Sequence, residues 1–169
     1  MRPQGPDIPP PEFAAWYAAE LPRTHRALTL AVGDAGIAEE AAAEAFARAL
    51  ARWDRVARME RPAAWVYTVA LNEVRRSWRR AQLERRWVQR QREQQAPAPA
   101  DPEDALWRAV ADLPPRSRTA VALRYVADLT EAQVADVMNV SRGTVASTLS
   151  TARARLAAAL GPTREDALR

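Results

Sequence analysis

The sequence predicts an all-α protein of two small helical domains joined by a Pro/Ala-rich linker. Three observations lead there. Apolar residues recur at helical spacing in segment after segment, and the sustained alternation of a half-buried strand is missing. Hydrophobic residues make up 48% of the chain, enough for a core, and alanine dominates them. Finally, Gln95 to Pro102 reads QAPAPADP, an alternation of proline and small residues that disfavours helix and sheet alike. A length of 169 residues suits one large or two small domains, and this linker selects two. The expected divisions are a disordered arm over 1–11, a first domain over 12–93, a linker over 94–103, a second domain over 104–161 and a tail over 162–169.

Proline enrichment without apolar periodicity marks the arm. From Glu12 the pattern turns helical, with Phe13, Trp16, Tyr17 and Leu21 as candidate core. Pro22 interrupts it as a kink or junction, and apolar positions return at Ala27, Leu28 and Ala31. Gly33-Asp34-Ala35-Gly36 reads as a loop before a second helix from about Ile37 to Trp53. Glu39 and Glu40 near its start and Arg48, Arg52 and Arg55 near its end suit the helix dipole, and Phe46 and Leu50 face the core. Arg55 to Arg61 reads as a basic loop, and Pro62 as the first residue of a helix extending to about Arg92. Val66, Val69, Ala70 and Val74 form one face of that helix; Trp78 and Trp87 lie among Arg75, Arg76, Arg79, Arg80, Arg85 and Arg86. Most arginine runs are solvated faces, but interleaved tryptophans also suit stacking on bases.

In the second domain a helix over Glu103–Asp112 breaks at Pro114-Pro115, and another continues through Leu123 and Val126. Two short helices then follow around a tight turn. Thr130 caps the first, with Gln133 positioned to complete a capping box, and Val134, Val137 and Met138 are its apolar face. Asn139 falls where the chain must leave the helix, a place for left-handed backbone. Ser141 caps the next helix, whose apolar positions are Val145, Leu149, Ala152 and Leu156. Its other face carries Gly143, Ser147, Ser150 and Ala154, flanked by Thr144 and Thr151: small, hydrogen-bonding, and suited to base edges in a major groove. By geometry alone such a helix-turn-helix suits DNA reading and plain packing equally. Gly161-Pro162 stops the last helix.

Composition excludes several classes. The net charge of +4 is too small to imply nucleic acid by itself. All 25 basic residues are arginine, which we attribute to composition rather than to function. Zero cysteines exclude disulfides, thiolate metal sites and thiol switches. His25 is the single histidine and has no second ligand nearby, so it reads as a surface or packing residue. No metal-ligand cluster, Gly-rich phosphate loop or nucleophile–base arrangement is readable, so no catalytic residue, metal or cofactor is expected. No apolar run is long enough to span a bilayer and no signal sequence is visible, so a cytoplasmic protein without a membrane partner is expected.

Several stretches carry a family resemblance. Leu113-Pro114-Pro115, Leu123-Arg124-Tyr125, Leu129-Thr130-Glu131-Ala132, Val140-Ser141-x-Gly143-Thr144-Val145-x-Ser147 and Ala152-Arg153-x-x-Leu156 resemble region 4 of bacterial sigma factors of the extracytoplasmic-function type. Gly33-Asp34, Ala38-Glu39-Glu40 and Glu44-Ala45-Phe46 resemble the part of sigma region 2 that binds core RNA polymerase. Trp65-Val66-Tyr67-Thr68-Val69-Ala70-Leu71-Asn72 looks like the part of region 2 that holds the melted minus-ten strand, with one base flipped into a pocket. The resemblance spans about Phe13 to Leu160, in the family's domain order.

That resemblance implies a protein that binds core RNA polymerase, directs it to promoters and helps melt them, without being an enzyme. Minus-ten contacts would come from Arg58, Arg61, Tyr67, Thr68, Asn72, Arg75, Arg76 and Arg79. Minus-thirty-five contacts would come from Arg142, Gly143, Thr144, Ser147, Thr148, Ser150, Thr151 and Arg155, with Arg153 a further phosphate candidate. Glu40, Ala43, Glu44 and Phe46 would meet the polymerase. Implied partners are core RNA polymerase, through its clamp helices and flap, and promoter DNA; many family members also have an anti-sigma inhibitor. The sequence departs from the pattern at Glu40, usually aspartate, and at Ala43, usually glutamine. Thr68 occupies an often basic position, and Ala146, Thr148 and Thr151 stand where Lys or Arg is common, so fewer counterions would be released on binding. Rival readings are a helix-turn-helix regulator acting without polymerase, which leaves the Arg55–Arg92 segment unexplained, and a degenerate sigma paralogue.

Overall fold

Helix ends in this chain are set by local chemistry that can be followed residue by residue. The computed structural model describes residues 10–85 and 102–161. Helix α1 (Pro11–Val32) begins with proline at its first position, where a missing N–H is harmless, so the expected arm gives way to helix at Pro11. The helix runs on through Pro22, which is therefore no junction. Pro22 frees the Ala18 carbonyl from its helical partner, and both residues are exposed, so water can take the vacant bond. Gly33 closes α1 in left-handed conformation (φ 78°), and Asp34 immediately caps α2 (Ala35–Leu50), its Oδ1 accepting from the Ile37 N–H at 2.9 Å. The expected four-residue loop is thus a two-residue joint. The expected single helix to Trp53 is two, because a one-turn α3 (Trp53–Val56) follows and absorbs the start of the expected Arg55–Arg61 loop. Helix α4 (Pro62–Arg85) starts at the predicted proline.

Aromatic rings from three helices interlock at one end of this first half. The Phe13 ring meets Trp53 edge-on at 5.2 Å, and Tyr17 meets Phe46 edge-on at 4.9 Å, arrangements that the ring quadrupole favours. The rest of the α2 seam is alanine: Ala38, Ala41, Ala42, Ala45 and Ala49 are all buried. On α4 the buried stripe is Val66, Tyr67, Ala70, Leu71 and Val74, with Val69 only half-buried.

The second half opens with α5 (Pro102–Ala111), which includes Pro102 of the expected linker, and α6 (Pro115–Val121), again with proline at its start. A π-helical turn follows over Ala122–Val126, closed by the Ala127 N–H on the Ala122 carbonyl at 3.0 Å. Asp128 takes a left-handed conformation (φ 55°) and turns the chain into α7 (Glu131–Met138). The predicted capping box is present: Thr130 Oγ1 accepts from the Gln133 N–H at 3.3 Å, and Gln133 Oε1 accepts from the Thr130 N–H at 2.9 Å. Asn139 is left-handed (φ 55°), and the Val140 N–H reaches back to the Ala135 carbonyl at 3.0 Å, closing a Schellman motif. Ser141 caps α8 (Arg142–Leu160), whose buried positions are Val145, Leu149 and Ala152.

The halves do not stand apart. Helix α1 packs on α6 and the π-helical turn, and α4 packs along α7. The expectations for 1–9, 86–101 (most of the linker, with Arg86 and Trp87) and 162–169 lie outside the described residues.

Candidate nucleic-acid interface

Two surfaces carry the residues singled out in the sequence. The first is the solvent face of α8. Arg142, Gly143, Thr144, Ser147, Ser150, Thr151, Arg153 and Arg155 are exposed, and Thr148 is half-buried beside them. This follows from the burial of Val145, Leu149 and Ala152, which fixes the helix's rotation against α6 and α7. Part of the hydrogen-bonding capacity of that face is used locally. The Thr144 hydroxyl lies 2.8 Å from Ser141 Oγ, and the Ser147 hydroxyl donates to the Thr144 carbonyl at 3.0 Å. A Cβ at Gly143 would meet only Ser141 Oγ, at 3.9 Å, so glycine is not sterically required there. It leaves the helix surface low where a duplex could approach.

The second surface runs along α4 and the turn before it. Arg58, Arg61, Asn72, Arg76 and Arg79 are exposed, and Arg75 is half-buried. Arg75 Nη1 donates to Asn72 Oδ1 at 2.7 Å, which fixes the amide's orientation. Arg76 lies 3.6 Å from Glu73. Thr68 is half-buried and returns its hydroxyl to the Ala64 carbonyl at 3.0 Å.

Tyr67 is a correction. It is 0% exposed, so its ring supports the core and offers no face to a base. Its hydroxyl is buried without a hydrogen-bond partner, as is that of Thr24. Burial pushes the phenol up to about 12; the neighbouring Thr24 hydroxyl opposes that rise, but the two do not meet in bonding geometry.

The set assigned to polymerase contact divides likewise. Glu40 and Ala43 are exposed and Glu44 is half-buried, but Phe46 is 2% exposed inside the aromatic cluster and can act only as support. Between α2 and α4 lies a shallow depression of about 190 Å³ lined by Ile37, Glu40, Glu44, Glu73 and Ser77. Arg48 ties its walls together, bonding Glu44 at 2.6 Å and Glu73 at 3.2 Å. Glu73 and Ser77 were not singled out in the sequence. Glu73 sits three residues before Arg76, a helical pairing that could have drawn attention to it.

A larger groove of about 540 Å³ separates the halves. Asn72, Arg75, Trp78 and Arg79 line one wall, and Arg116, Thr119, Met138 and Asn139 are on the other. No sequence signal pointed to this juxtaposition.

No helix among the described residues is long and apolar enough to cross a membrane. Comparison with known proteins matches both halves of the chain to one family. Residues 16–84 match the family described as sigma-70 region 2, and residues 103–156 match sigma-70 region 4. Among solved structures, the chain is similar to the sigma factor RpoE from Bartonella quintana, co-crystallised with the anti-sigma factor NepR. That match has a TM-score of 0.76 and 22% identity, and it covers 88% of this chain and 96% of the other. No curated protein matches the sequence.

Proposed function

This chain belongs to the sigma-70 family, and from that premise we propose that it is a sigma factor of the extracytoplasmic-function type that binds core RNA polymerase and directs it to promoters. Region 2 followed by region 4 accounts for nearly all of the described residues. The observation that carries the reading is the pairing of two polar helix faces on one chain. The α8 face, with Arg142 and Arg155 at its ends, suits the duplex of the minus-thirty-five element. The α4 face, with Asn72, Arg75 and Arg79 beside Trp78, suits the melted minus-ten strand, where guanidinium groups meet phosphates and an aromatic stacks on a base. Glu40, Glu44 and Glu73 around the α2–α4 depression suit a basic surface of the polymerase.

The mechanism is binding rather than chemistry. Polymerase docking on α2 brings both readers to one promoter at high effective concentration. Capture of an unstacked base by α4 then offsets an unstacking cost of about a few kcal/mol and holds the open complex.

Fluorescence anisotropy of the labelled protein against core RNA polymerase from its own host tests this reading. Tight, saturable binding is expected. No detectable binding would transfer the lead to a regulator that acts without polymerase, and would implicate Glu40 and Ala43.

A further inference from the structure

The groove between the halves gathers positive charge that nothing beside it neutralises. Arg75 and Arg79 line its α4 wall, Arg116 of α6 lines the wall opposite, and no acidic residue is among its lining. Other arginines of the first half are treated differently. Arg48 bonds Glu44 and Glu73, and Arg76 lies 3.6 Å from Glu73, so each faces a carboxylate. Arg79 and Arg116 are exposed and have no hydrogen-bond or ion-pair partner among the described residues. Arg75 commits one N–H to Asn72 Oδ1 at 2.7 Å, leaving its other donors for a ligand. Like charges around one groove repel each other, and an anion entering it relieves that repulsion. Guanidinium forks match phosphate oxygens in pairs, which makes phosphate the fitting anion.

The remaining groups narrow the ligand. Trp78 is exposed beside Arg75 and Arg79, a flat ring on which a planar base stacks. Asn72 and Asn139, one on each wall, bring amides that both donate and accept, as base edges require. A volume of about 540 Å³ suits one small molecule. The facing wall is seated on α1 by Arg118, whose Nε donates to the Ala31 carbonyl at 3.3 Å and Nη2 to the Val32 carbonyl at 3.4 Å. Arg116 and Asn139 belong to neither reader proposed above, so a strand lying on α4 does not account for them.

We propose that this groove binds a free nucleoside polyphosphate, its base stacked on Trp78 and its phosphates gathered by Arg75, Arg79 and Arg116. The site stands on its two walls and is independent of the promoter reading. Where α4 also reads a strand, Arg75 and Arg79 serve one ligand at a time, and nucleotide and strand compete.

ATP carrying a fluorescent N-methylanthraniloyl group on its ribose, titrated with the full chain at near-physiological salt, tests the site by anisotropy. Saturable binding is expected, displaced by unlabelled ATP and about tenfold less well by inorganic tripolyphosphate or adenosine, each of which keeps only one anchor. Arg116→Ala should weaken binding about tenfold through loss of a charge-assisted contact, Arg116→Lys should restore part of it, and Trp78→Ala should weaken it similarly. A fluorescein-labelled single-stranded DNA of mixed sequence, titrated alongside, should bind Arg116→Ala as it binds wild type, and saturating ATP should weaken its binding to wild type. Circular dichroism checks that the variants remain helical. No saturable binding, or binding that survives both Arg116→Ala and Trp78→Ala, would overturn the site. Displacement by tripolyphosphate as readily as by ATP would overturn the nucleotide assignment, leaving only the attraction of anions to a basic surface. Strand binding unmoved by ATP, with the nucleotide site itself established by the variants, would overturn α4 as the strand reader instead.

Discussion

Replacing Tyr67 with phenylalanine separates a core tyrosine from a DNA-facing one. The side chain is 0% exposed, and its hydroxyl and that of Thr24 are both buried without a hydrogen bond. An unsatisfied buried hydroxyl costs about 1–3 kcal/mol, and Tyr67→Phe removes one while leaving the ring in place. Allowing for lost packing around the vacated oxygen, the variant should gain about 1 kcal/mol, or roughly 2–4 °C in a chain of this size. The pH dependence sharpens the test. An unfolded tyrosine releases its proton near pH 10, whereas burial holds Tyr67 at about 12. Below pH 10 both states are protonated and the gap between the proteins is flat. Above pH 10 the unfolded wild type loses the proton first and therefore binds fewer protons, so wild-type stability falls by about 1.4 kcal/mol per pH unit until pH 12. Tyr67→Phe lacks that loss, so its advantage should widen over the same interval. Thermal unfolding at pH 7 and at two values above 10, with strand binding measured alongside, reads all of this. A lower midpoint at pH 7 would mean that the hydroxyl is satisfied. Equal stability with weakened strand binding would put the hydroxyl against DNA.

Asn72→Ala should impair formation of the open complex more than closed-complex binding, and unchanged permanganate reactivity of melted promoter DNA would remove the α4 assignment. Arg142→Ala and Ser147→Ala should reduce protection of the upstream element; intact footprints in both would exclude the α8 face as the reader. Thr130→Ala should lose about 1 kcal/mol through its cap, and urea unfolding that matches wild type would contradict the capping box. At the left-handed Asn139, glycine should be tolerated while alanine loses about 1–2 kcal/mol, and equal denaturation midpoints for the two would argue against that conformation in solution.

Features legible in the sequence were those decided within a few residues. Thr130 with Gln133, left-handed Asn139, the Ser141 cap and Pro62 at the start of α4 all depend on bonds spanning one turn or less. At Pro22 the junction alternative fell away, because the freed carbonyl belongs to the exposed Ala18, where water can take the vacant bond and the helix continues. Tyr67 misled because the buried stripe of α4 is two residues wide, pairing Val66 with Tyr67 and Ala70 with Leu71, whereas the apolar spacing picked out Val66, Val69, Ala70 and Val74. The π-helical turn at Ala122 and the reach of Arg118 to Ala31 depend on partners that local pattern does not identify. The exposed face of α8 followed from its apolar period in nearly every residue, whereas α4 needed its packing to sort buried from exposed positions.

The alanine seam of α2 bears on how this chain tolerates change over generations. A single base substitution in an alanine codon yields only Val, Thr, Ser, Pro, Gly, Asp or Glu. At Ala38, Ala45 and Ala49, each 0% exposed, every one of these overfills the seam, buries a polar group or weakens the helix. The arginine-bearing faces of α4 and α8 carry no such restriction. Inheritance should therefore hold the helix nearest the proposed polymerase contact almost fixed, while the two surfaces proposed to choose a promoter drift and acquire new targets.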